Sequence, residues 1–495
     1  MVKMSLHRRF ISILYVILTC VVCGGLLLLS SENARTQTDN SPRAELSATI
    51  PVNPSLVHDN RDIKFGDFAW QTFVALNWPA DCQTGLPLQE QIGQAHDKAR
   101  VWEFYHFPED VFQSDGEKPE LQPIVPPQCL GFNGNQSVDQ DLRLTEFASE
   151  PTIESEKLKS TDHLHIFSRG QEPLIDRAGN YILNEIRMNP VEVNQIVDSG
   201  WYSDKNLQGF NNTDNLFQLA CSAKEPNGTF PQTPDHLNVP CKVNTWMGAI
   251  EIKASWMVLP DSKVLPDGSS APDKYYTTKR TFNVTTPENK TEKTTVPVAL
   301  VGFHIMQKTS QQGWIWATFE HNNNAPDNAS LPASRDQKHY NLYSSECTEN
   351  CQVNTPYVKK PYLWRQDFPH AVTTTVTGVE EQTPSQITRL VSIPKFAQSL
   401  NEKWQKKLAT SVWRNYQLIG VQWLENPYDP YNLAEVGGRG VTPLRLANVT
   451  LEPYVQIDEK GNSCITCHTL AKLRDKKTYA DFSFLLLPNQ DNFNQ

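Results

Sequence analysis

Residues 464–468 read Cys-Ile-Thr-Cys-His and stand 27 residues before the C-terminus of the 495-residue chain. In a C-x-x-C-H sequence, two thiols one helical turn apart can form thioether bonds to both vinyl groups of a haem, and the histidine then lies beneath the iron. No methionine or histidine follows His468. A second protein ligand to the iron would therefore come from preceding residues, so the C-terminal segment must pack against the rest of the chain.

Two other interpretations of this motif are weaker. A thioredoxin-like C-x-x-C follows a strand in a βαβ unit, whereas this one follows a loop-like stretch near the end of the chain. A zinc site needs a second pair of ligands, and Cys347 with Cys351 is the pair that the sequence offers. The sequence favours one covalent haem c, attached at Cys464 and Cys467, with His468 as the proximal iron ligand.

Three residues of a predicted β-hairpin are candidates for a distal iron ligand: His304, Met306 and His321. His304 and Met306 share one face of their strand, because side chains alternate along a strand, and both side-chain types bind haem iron. Each also has an ordinary structural interpretation. A methionine commonly fills a core, and a histidine is commonly hydrogen-bonded within or at the end of a strand. An iron without a distal protein ligand is a further alternative.

The N-terminus carries an uncharged apolar run from Phe10 to Leu29, preceded by basic residues. Twenty such residues are about the length that spans a bilayer, and secretory signals usually have shorter apolar regions. Positive charge before the run predicts that the body lies outside the cytoplasm. We expect residues 1–30 to be a membrane anchor or signal. The body would lie on the periplasmic side of the bacterial inner membrane, or be periplasmic or secreted after cleavage.

Six of the ten cysteines lie outside the apolar run and the C-x-x-C-H motif. An even number in an exported chain permits three disulfides. Pairing by proximity in sequence joins Cys82 to Cys129, Cys221 to Cys241 and Cys347 to Cys351, although the sequence allows other pairings.

The rest of the chain predicts an α+β protein. Residues 31–60 are polar and read as a flexible tether, residues 61–455 as a β-rich globular body with flanking helices, and residues 456–495 as the haem-binding segment packed on that body. Runs of β-branched and aromatic residues predict strands at Ala249–Leu259, Tyr275–Thr286, Thr294–Lys308, Trp314–His321 and Ala371–Val379. We also expect Phe482–Leu487 to pack as a strand or extended segment.

Three helices are predicted from caps and periodicity. One would begin with Asp67 as its cap and stop before Pro79, and a second would follow the Asn189-Pro190 cap to about Asp198. A long third helix over residues 393–420 is indicated by apolar residues that recur every four positions.

The chain carries a formal net charge of −10. Nucleic-acid binding depends on a basic surface that neutralises phosphates, so a nucleic-acid partner is not expected.

Several phrases together resemble an uncharacterised family of bacterial exported proteins with a single C-terminal c-type haem motif. They are FAWQTFVALNWP, VWEFY, EIKASW, GFHIMQKT, WIWATFEHNNN and LANVTLEPYVQ, followed by SCITCH and DFSFLLL. The resemblance spans about residues 65 to 487 and implies covalent haem at Cys464, Cys467 and His468. It implies no particular substrate.

Three functions are consistent with these features. The first is electron transfer through the haem, with a redox partner protein or a small-molecule electron donor or acceptor. The second is a periplasmic haem enzyme of the peroxidase or oxidase type, with an open or weakly ligated iron and an acid–base residue above it. The third is a β-rich binding or sensor protein in which the haem is accessory.

Overall fold

The computed structural model of the chain describes residues 46–55, 60–93, 97–112, 116–131, 164–165, 172–213, 215–222, 247–328, 339–427, 431, 441–443, 445–456, 464–473 and 475–486. The described residues from Ser47 onward belong to one compact unit. The predicted anchor lies outside the described residues. Among the helices that are described, none has the length and apolar character needed to cross a membrane.

The body is rich in β-structure. Its strands are β1 (Leu164–His165), β2 (Leu183–Met188), β3 (Ile250–Val258), β4 (Thr277–Thr285), β5 (Thr291–Thr309), β6 (Gly313–His321), β7 (Leu363–Trp364), β8 (Ala371–Thr375), β9 (Gly378–Glu381), β10 (Tyr416–Leu424) and β11 (Val441–Thr442). Eight of them form one antiparallel sheet in the order β1-β2-β3-β5-β6-β10-β11, with β4 paired to the first half of β5. Strands β7, β8 and β9 form a second, small sheet.

The predicted strands agree with β3 to β6 to within three residues at each end. The prediction of one strand over Ala371–Val379 is wrong. The chain turns at Val376 and Thr377, and β8 pairs with β9 as a hairpin. The residues 371–381 are rich in threonine and valine on both sides of the turn, so the β-propensity gave no sign of the reversal.

The helices are α1 (Arg61–Leu76), α2 (Pro108–Val111), α3 (Pro190–Asp198), α4 (Ala271–Lys274), α5 (Lys395–Lys407) and α6 (Cys464–His468). Short 3₁₀ helices cover Val101–Phe104, Pro127–Cys129, Asp204–Leu207 and Val412–Asn415. Helix α3 is confirmed, including its cap, because the Asn189 side chain accepts a hydrogen bond from the backbone of Glu192.

The prediction that Asp67 caps the first helix is wrong. Asn60 is the cap, and its side chain accepts from the backbone of Asp62 and Ile63. Asp67 lies inside α1, where its carboxylate accepts from the indole of Trp404 at 2.8 Å. Asp67 therefore joins α1 to α5, the helix that contains Trp404, and does not cap α1.

The prediction of one long helix over residues 393–420 is also wrong for the second half of that range. Helix α5 ends at Lys407, and the chain enters β10 at Tyr416. The four-residue spacing continues beyond Lys407 because Leu408 and Val412 are buried in the same interior as the helix. Apolar residues at a regular spacing indicate which positions are buried, and here buried positions continue at that spacing after the helix has ended.

The large sheet has two differently covered faces. The helix face carries Phe303 and Phe319, whose rings contact Phe73 of α1. The C-terminal face carries Met306, Trp316 and Gln422, which are paired across β5, β6 and β10. Because side chains alternate along each strand, the register assigns every residue of these strands to one face or the other.

Two predicted disulfides are confirmed. Cys82 is bonded to Cys129, and Cys347 is bonded to Cys351. Cys221 is also in a disulfide, and its predicted partner Cys241 lies outside the described residues.

Candidate functional site

The C-x-x-C-H residues form a short helix, α6, seated on the C-terminal face. Ile465 is fully buried, and its backbone N–H donates to the Gln422 side chain of β10 at 2.8 Å. Cys464, Cys467 and His468 are half-buried. Ile465 therefore attaches α6 to the sheet, and the thiols of Cys464 and Cys467 and the imidazole of His468 lie at the edge of the core.

A tight turn follows α6 and brings the chain back to it. Leu473 donates its backbone N–H to Thr478 at 2.8 Å, and Ala480 donates to Ala471 at 3.1 Å. Asp475 holds the turn by accepting from two backbone N–H groups, those of residues 477 and 478. The segment from 481 to 486 therefore lies beside α6. It consists of turns and a bend, so the prediction of a strand or extended conformation is wrong for these residues, whereas the prediction that the segment packs against the body is confirmed, because Phe482, Leu485 and Leu486 are buried in one cluster with Ile465 and Trp316.

His468 is oriented by the returning segment. Its Nδ1 lies 2.6 Å from the backbone carbonyl oxygen of Phe482. A carbonyl can only accept, so Nδ1 carries the proton, and Nε2 is the ring nitrogen through which the imidazole could bind a metal. Histidines that bind metals commonly have this second hydrogen bond, which fixes the ring and raises its basicity.

The backbone that supplies this carbonyl is unusual. Asp481 and Phe482 both have positive φ angles, 51° and 67°. Bulky residues rarely adopt the left-handed region, and such backbone persists where surrounding contacts hold it. The Phe482 ring is buried and contacts the indole of Trp316 at a centroid distance of 5.5 Å, so packing holds the carbonyl towards His468.

Aromatic rings flank the imidazole. The ring of Trp316 lies 6.0 Å from that of His468, and the ring of Phe484 lies at 5.0 Å. Cys464 and Cys467 are thiols, whereas the other described cysteines are in disulfides. Two thiols at i and i+3 of a helix, an imidazole oriented through Nδ1 and apolar walls are the groups that a covalent haem requires, so the residues present fit one.

The structure brings Met306 into the same core as α6. Met306 is buried in a cluster with Ile465, Trp316 and Phe482. His304 lies two residues along the same face of β5. Burial and the neighbouring Lys253 lower the pKa of His304 to about 3, and its Nε2 lies 3.6 Å from the carboxylate of Glu452. The His304 ring is therefore neutral, which is the form that binds metals.

The structure does not bring His321 to α6. Its register places it on the helix face, and its ring stacks on Tyr275 at 3.8 Å. Its Nε2 lies 3.1 Å from the carbonyl of Lys274, and its Nδ1 lies 3.1 Å from the backbone N–H of Asn323. Both ring nitrogens of His321 are engaged in hydrogen bonds.

Sequence reasoning missed two groups of this site. The Phe482 carbonyl acts through its backbone, and no residue type marks a backbone acceptor. Gln422 had a weak signal, since it is a polar residue within the apolar strand β10.

A cavity of about 260 Å³ lies elsewhere in the body. Asp176, Tyr275 and Asn323 are among the residues that line it, and none of the residues of α6 or of 475–486 does. This cavity is therefore separate from the C-x-x-C-H site.

Comparisons of the chain with protein-family models, with characterised proteins and with solved structures each found no match. Within the described residues, no group of three or more histidine, cysteine, aspartate or glutamate side chains is arranged to hold a metal ion.

Proposed function

We propose that this protein is an exported, monohaem c-type cytochrome-like protein that transfers electrons through haem bound covalently at Cys464 and Cys467. The observation that carries the proposal is the hydrogen bond between His468 Nδ1 and the Phe482 carbonyl, beside two cysteines that remain thiols. A histidine at the end of C-x-x-C-H is oriented in this way when its Nε2 serves as an iron ligand.

Each residue of the site has a separate role. The thiols of Cys464 and Cys467 would add to the vinyl groups, and His468 Nε2 would bind the iron on the proximal side. Phe482 fixes the tautomer of His468, and the rings of Trp316 and Phe484 lie beside the imidazole as apolar walls. When bound, haem supplies a one-electron centre that alternates between ferrous and ferric iron.

The disulfides support an exported location. The body contains the disulfides Cys82–Cys129 and Cys347–Cys351, and disulfides form and persist mainly outside the cytoplasm. The periplasmic side of the inner membrane, with residues 1–30 as anchor or signal, remains the proposed location.

The test is covalent attachment. The full chain would be produced together with c-type maturation factors and extracted with acidic acetone, which removes haem that is not covalently bound. We expect haem to stay with the wild-type protein and to be absent from the C464A/C467A variant.

The matched control is C347A/C351A, which removes a different pair of cysteines and should keep its haem. Covalent haem in C464A/C467A would overturn the assignment, as would its absence from the wild-type protein.

A second candidate function is a haem enzyme, and His304 is the observation that favours it. A neutral imidazole on the same face as Met306 and Trp316, with the Glu452 carboxylate 3.6 Å from its Nε2, could act as a distal base or as a sixth ligand. Optical spectra of the reduced protein with and without carbon monoxide distinguish the two. A low-spin spectrum unchanged by carbon monoxide supports electron transfer, and a high-spin spectrum that shifts supports an enzyme or a gas sensor.

A further inference from the structure

The cavity of about 260 Å³ lies away from the C-x-x-C-H site and has an apolar wall. Met257, Leu259 and Leu265 line it and are buried in one hydrophobic cluster. Val264 and Phe368 also line it, and their side chains are large, apolar and exposed, at 46% and 39%. Small-molecule sites are mostly apolar clefts of about 300 to 1,000 Å³ with a few polar groups. This cavity is slightly smaller, so it suits a small ligand with an apolar body.

The charged side chains of the lining leave one cation without an anion. Lys274 and Asp267 neutralise each other, because Nζ of the lysine lies 2.6 Å from Oδ2 of the aspartate. The Asp176 side chain is 0% exposed and accepts from the backbone of its own turn, so its carboxyl is closed to the cavity. Within the described part of the chain, no carboxylate lies within ion-pair distance of Arg177, whose Nη1 lies 3.3 Å from Nδ1 of His339. The positive charge of Arg177 is therefore uncompensated.

Arg177 and His339 together offer hydrogen-bond donors to a ligand. A guanidinium can only donate, so Nδ1 of His339 accepts from Arg177 and the proton of the neutral imidazole is on Nε2. Arg177 is half-buried and His339 is exposed, so both side chains can be reached from solvent. A planar guanidinium with an N–H group beside it matches the two oxygens of a carboxylate.

Backbone contacts hold Arg177 in position. Its N–H donates to the carbonyl of Asn341 at 2.9 Å, and the N–H of Gly179 closes the turn by donating to the carbonyl of Asp176 at 3.0 Å. Gly179 has a φ angle of 79°, and a Cβ atom there would lie 2.8 Å from Pro369. The turn that carries Arg177 is therefore fixed before a ligand binds, which lowers the entropic cost of binding.

The Tyr275 side of the cavity is also held in place. The Tyr275 hydroxyl donates to Oδ1 of Asn341 at 2.9 Å, and Nδ2 of Asn341 donates to Oδ1 of Asn324 at 2.9 Å. The ring of His321 stacks on the ring of Tyr275 at 3.8 Å. His321, which does not reach α6, therefore supports a wall of this cavity.

We propose that this cavity binds a small organic carboxylate, whose charged end accepts hydrogen bonds from Arg177 and His339. Its aromatic or short aliphatic body lies against Met257, Leu259 and Leu265. The uncompensated guanidinium selects the charge, because it would repel a cation and would stay unpaired with a neutral ligand. The proposal does not depend on haem, since no residue of the C-x-x-C-H motif lines the cavity.

Fluorine NMR of three probes added to the full chain tests the class of ligand. The probes are 4-fluorobenzoate, 4-fluorobenzyl alcohol and 4-fluorobenzylammonium, which are similar in size and differ in charge. We expect saturable broadening of the 4-fluorobenzoate resonance, reversed by unlabelled benzoate, and weaker binding of the other two probes. The proposal fails if 4-fluorobenzoate shows no saturable binding, if the three probes bind equally, or if the ammonium probe binds most tightly.

Variants test whether the probe binds in this cavity. R177M removes the guanidinium and keeps an apolar stem, so it should weaken binding of 4-fluorobenzoate about tenfold or more and leave binding of the alcohol unchanged. The control R61M changes an exposed arginine that is paired with Glu425 and does not line the cavity, and it should keep the wild-type affinity. L265F narrows the apolar part and should weaken binding of all three probes, with circular dichroism to establish that each variant is folded. Equal affinities in R177M and R61M would overturn the role of Arg177, and wild-type affinities in L265F would show that the probes bind elsewhere.

Discussion

Asp176 makes folding stability depend on pH in a predictable direction. This carboxyl is fully buried. Its Oδ1 accepts from the backbone N–H of Asn180 at 2.9 Å, whereas its Oδ2 has no hydrogen-bond partner. Burial therefore dominates and raises the pKa of Asp176 from 3.8 to about 7. The folded chain keeps this proton at pH values where the unfolded chain releases it.

The direction and size of this pH dependence follow from the difference between the pKa of Asp176 in the folded chain and its pKa in the unfolded chain. Below about pH 4 the carboxyl is protonated in both states, so its contribution to stability is complete. As the pH rises towards 7, only the unfolded chain loses the proton, and the free energy of unfolding decreases. A difference of about three pH units, at about 1.4 kcal/mol each, gives an upper limit of about 4 kcal/mol.

The D176N variant tests this calculation. Asparagine keeps an acceptor for Asn180 and stays neutral at every pH. We expect D176N to match the wild-type protein near pH 4 and to exceed its free energy of unfolding at pH 7 to 8, by up to about 4 kcal/mol. Urea denaturation at a series of pH values measures the difference.

The matched control is D81N. Asp81 accepts from the Thr84 hydroxyl and also from turn amides, those of Thr84 and Gln83, but it lies at the surface and these bonds lower its pKa. Its replacement should not increase stability at neutral pH. If wild-type and D176N proteins lose stability in parallel between pH 4 and 7, the reasoning about Asp176 is refuted.

Two further predictions concern stability and are measured by denaturation. Replacing both cysteines of Cys82–Cys129, which are 47 residues apart, should lower the free energy of unfolding by about 4 kcal/mol. The same change at Cys347–Cys351, which are four residues apart, should lower it by about 2 kcal/mol, because a shorter loop restricts the unfolded chain less. Equal losses would contradict this dependence on loop length. R389M should cost about 3–5 kcal/mol because it leaves the buried carboxylate of Glu320 without its cation. K359M, which breaks an exposed pair with Glu380, should change little, and a comparable loss in both variants would contradict the role of burial.

Local signals in the sequence predicted the elements that local chemistry determines. Asn189-Pro190 defines the start of α3 because a capping side chain and a proline act on adjacent residues. The strands β3 to β6 were recognisable because β-branched and aromatic residues continue along them. Where burial extended past an element, as from α5 towards β10, periodicity gave the wrong structure.

In the candidate site, too, local features were predictable from the sequence and features set by distant contacts were not. The C-x-x-C-H motif was recognisable because its residues are adjacent in sequence, and two of the disulfides were predicted by pairing each cysteine with its nearest neighbour along the chain. The orientation of His468 was not predictable, because it depends on a backbone carbonyl 14 residues later.

The central claim is that haem is bound covalently at Cys464 and Cys467. Mass spectrometry of the intact chain and of its proteolytic peptides, after production with c-type maturation factors, tests it most directly. We expect the chain to gain the mass of one haem and the peptide containing Cys464 and Cys467 to carry it. A chain with the mass of the polypeptide alone, or with haem on a different peptide, would show that haem is not attached at these cysteines.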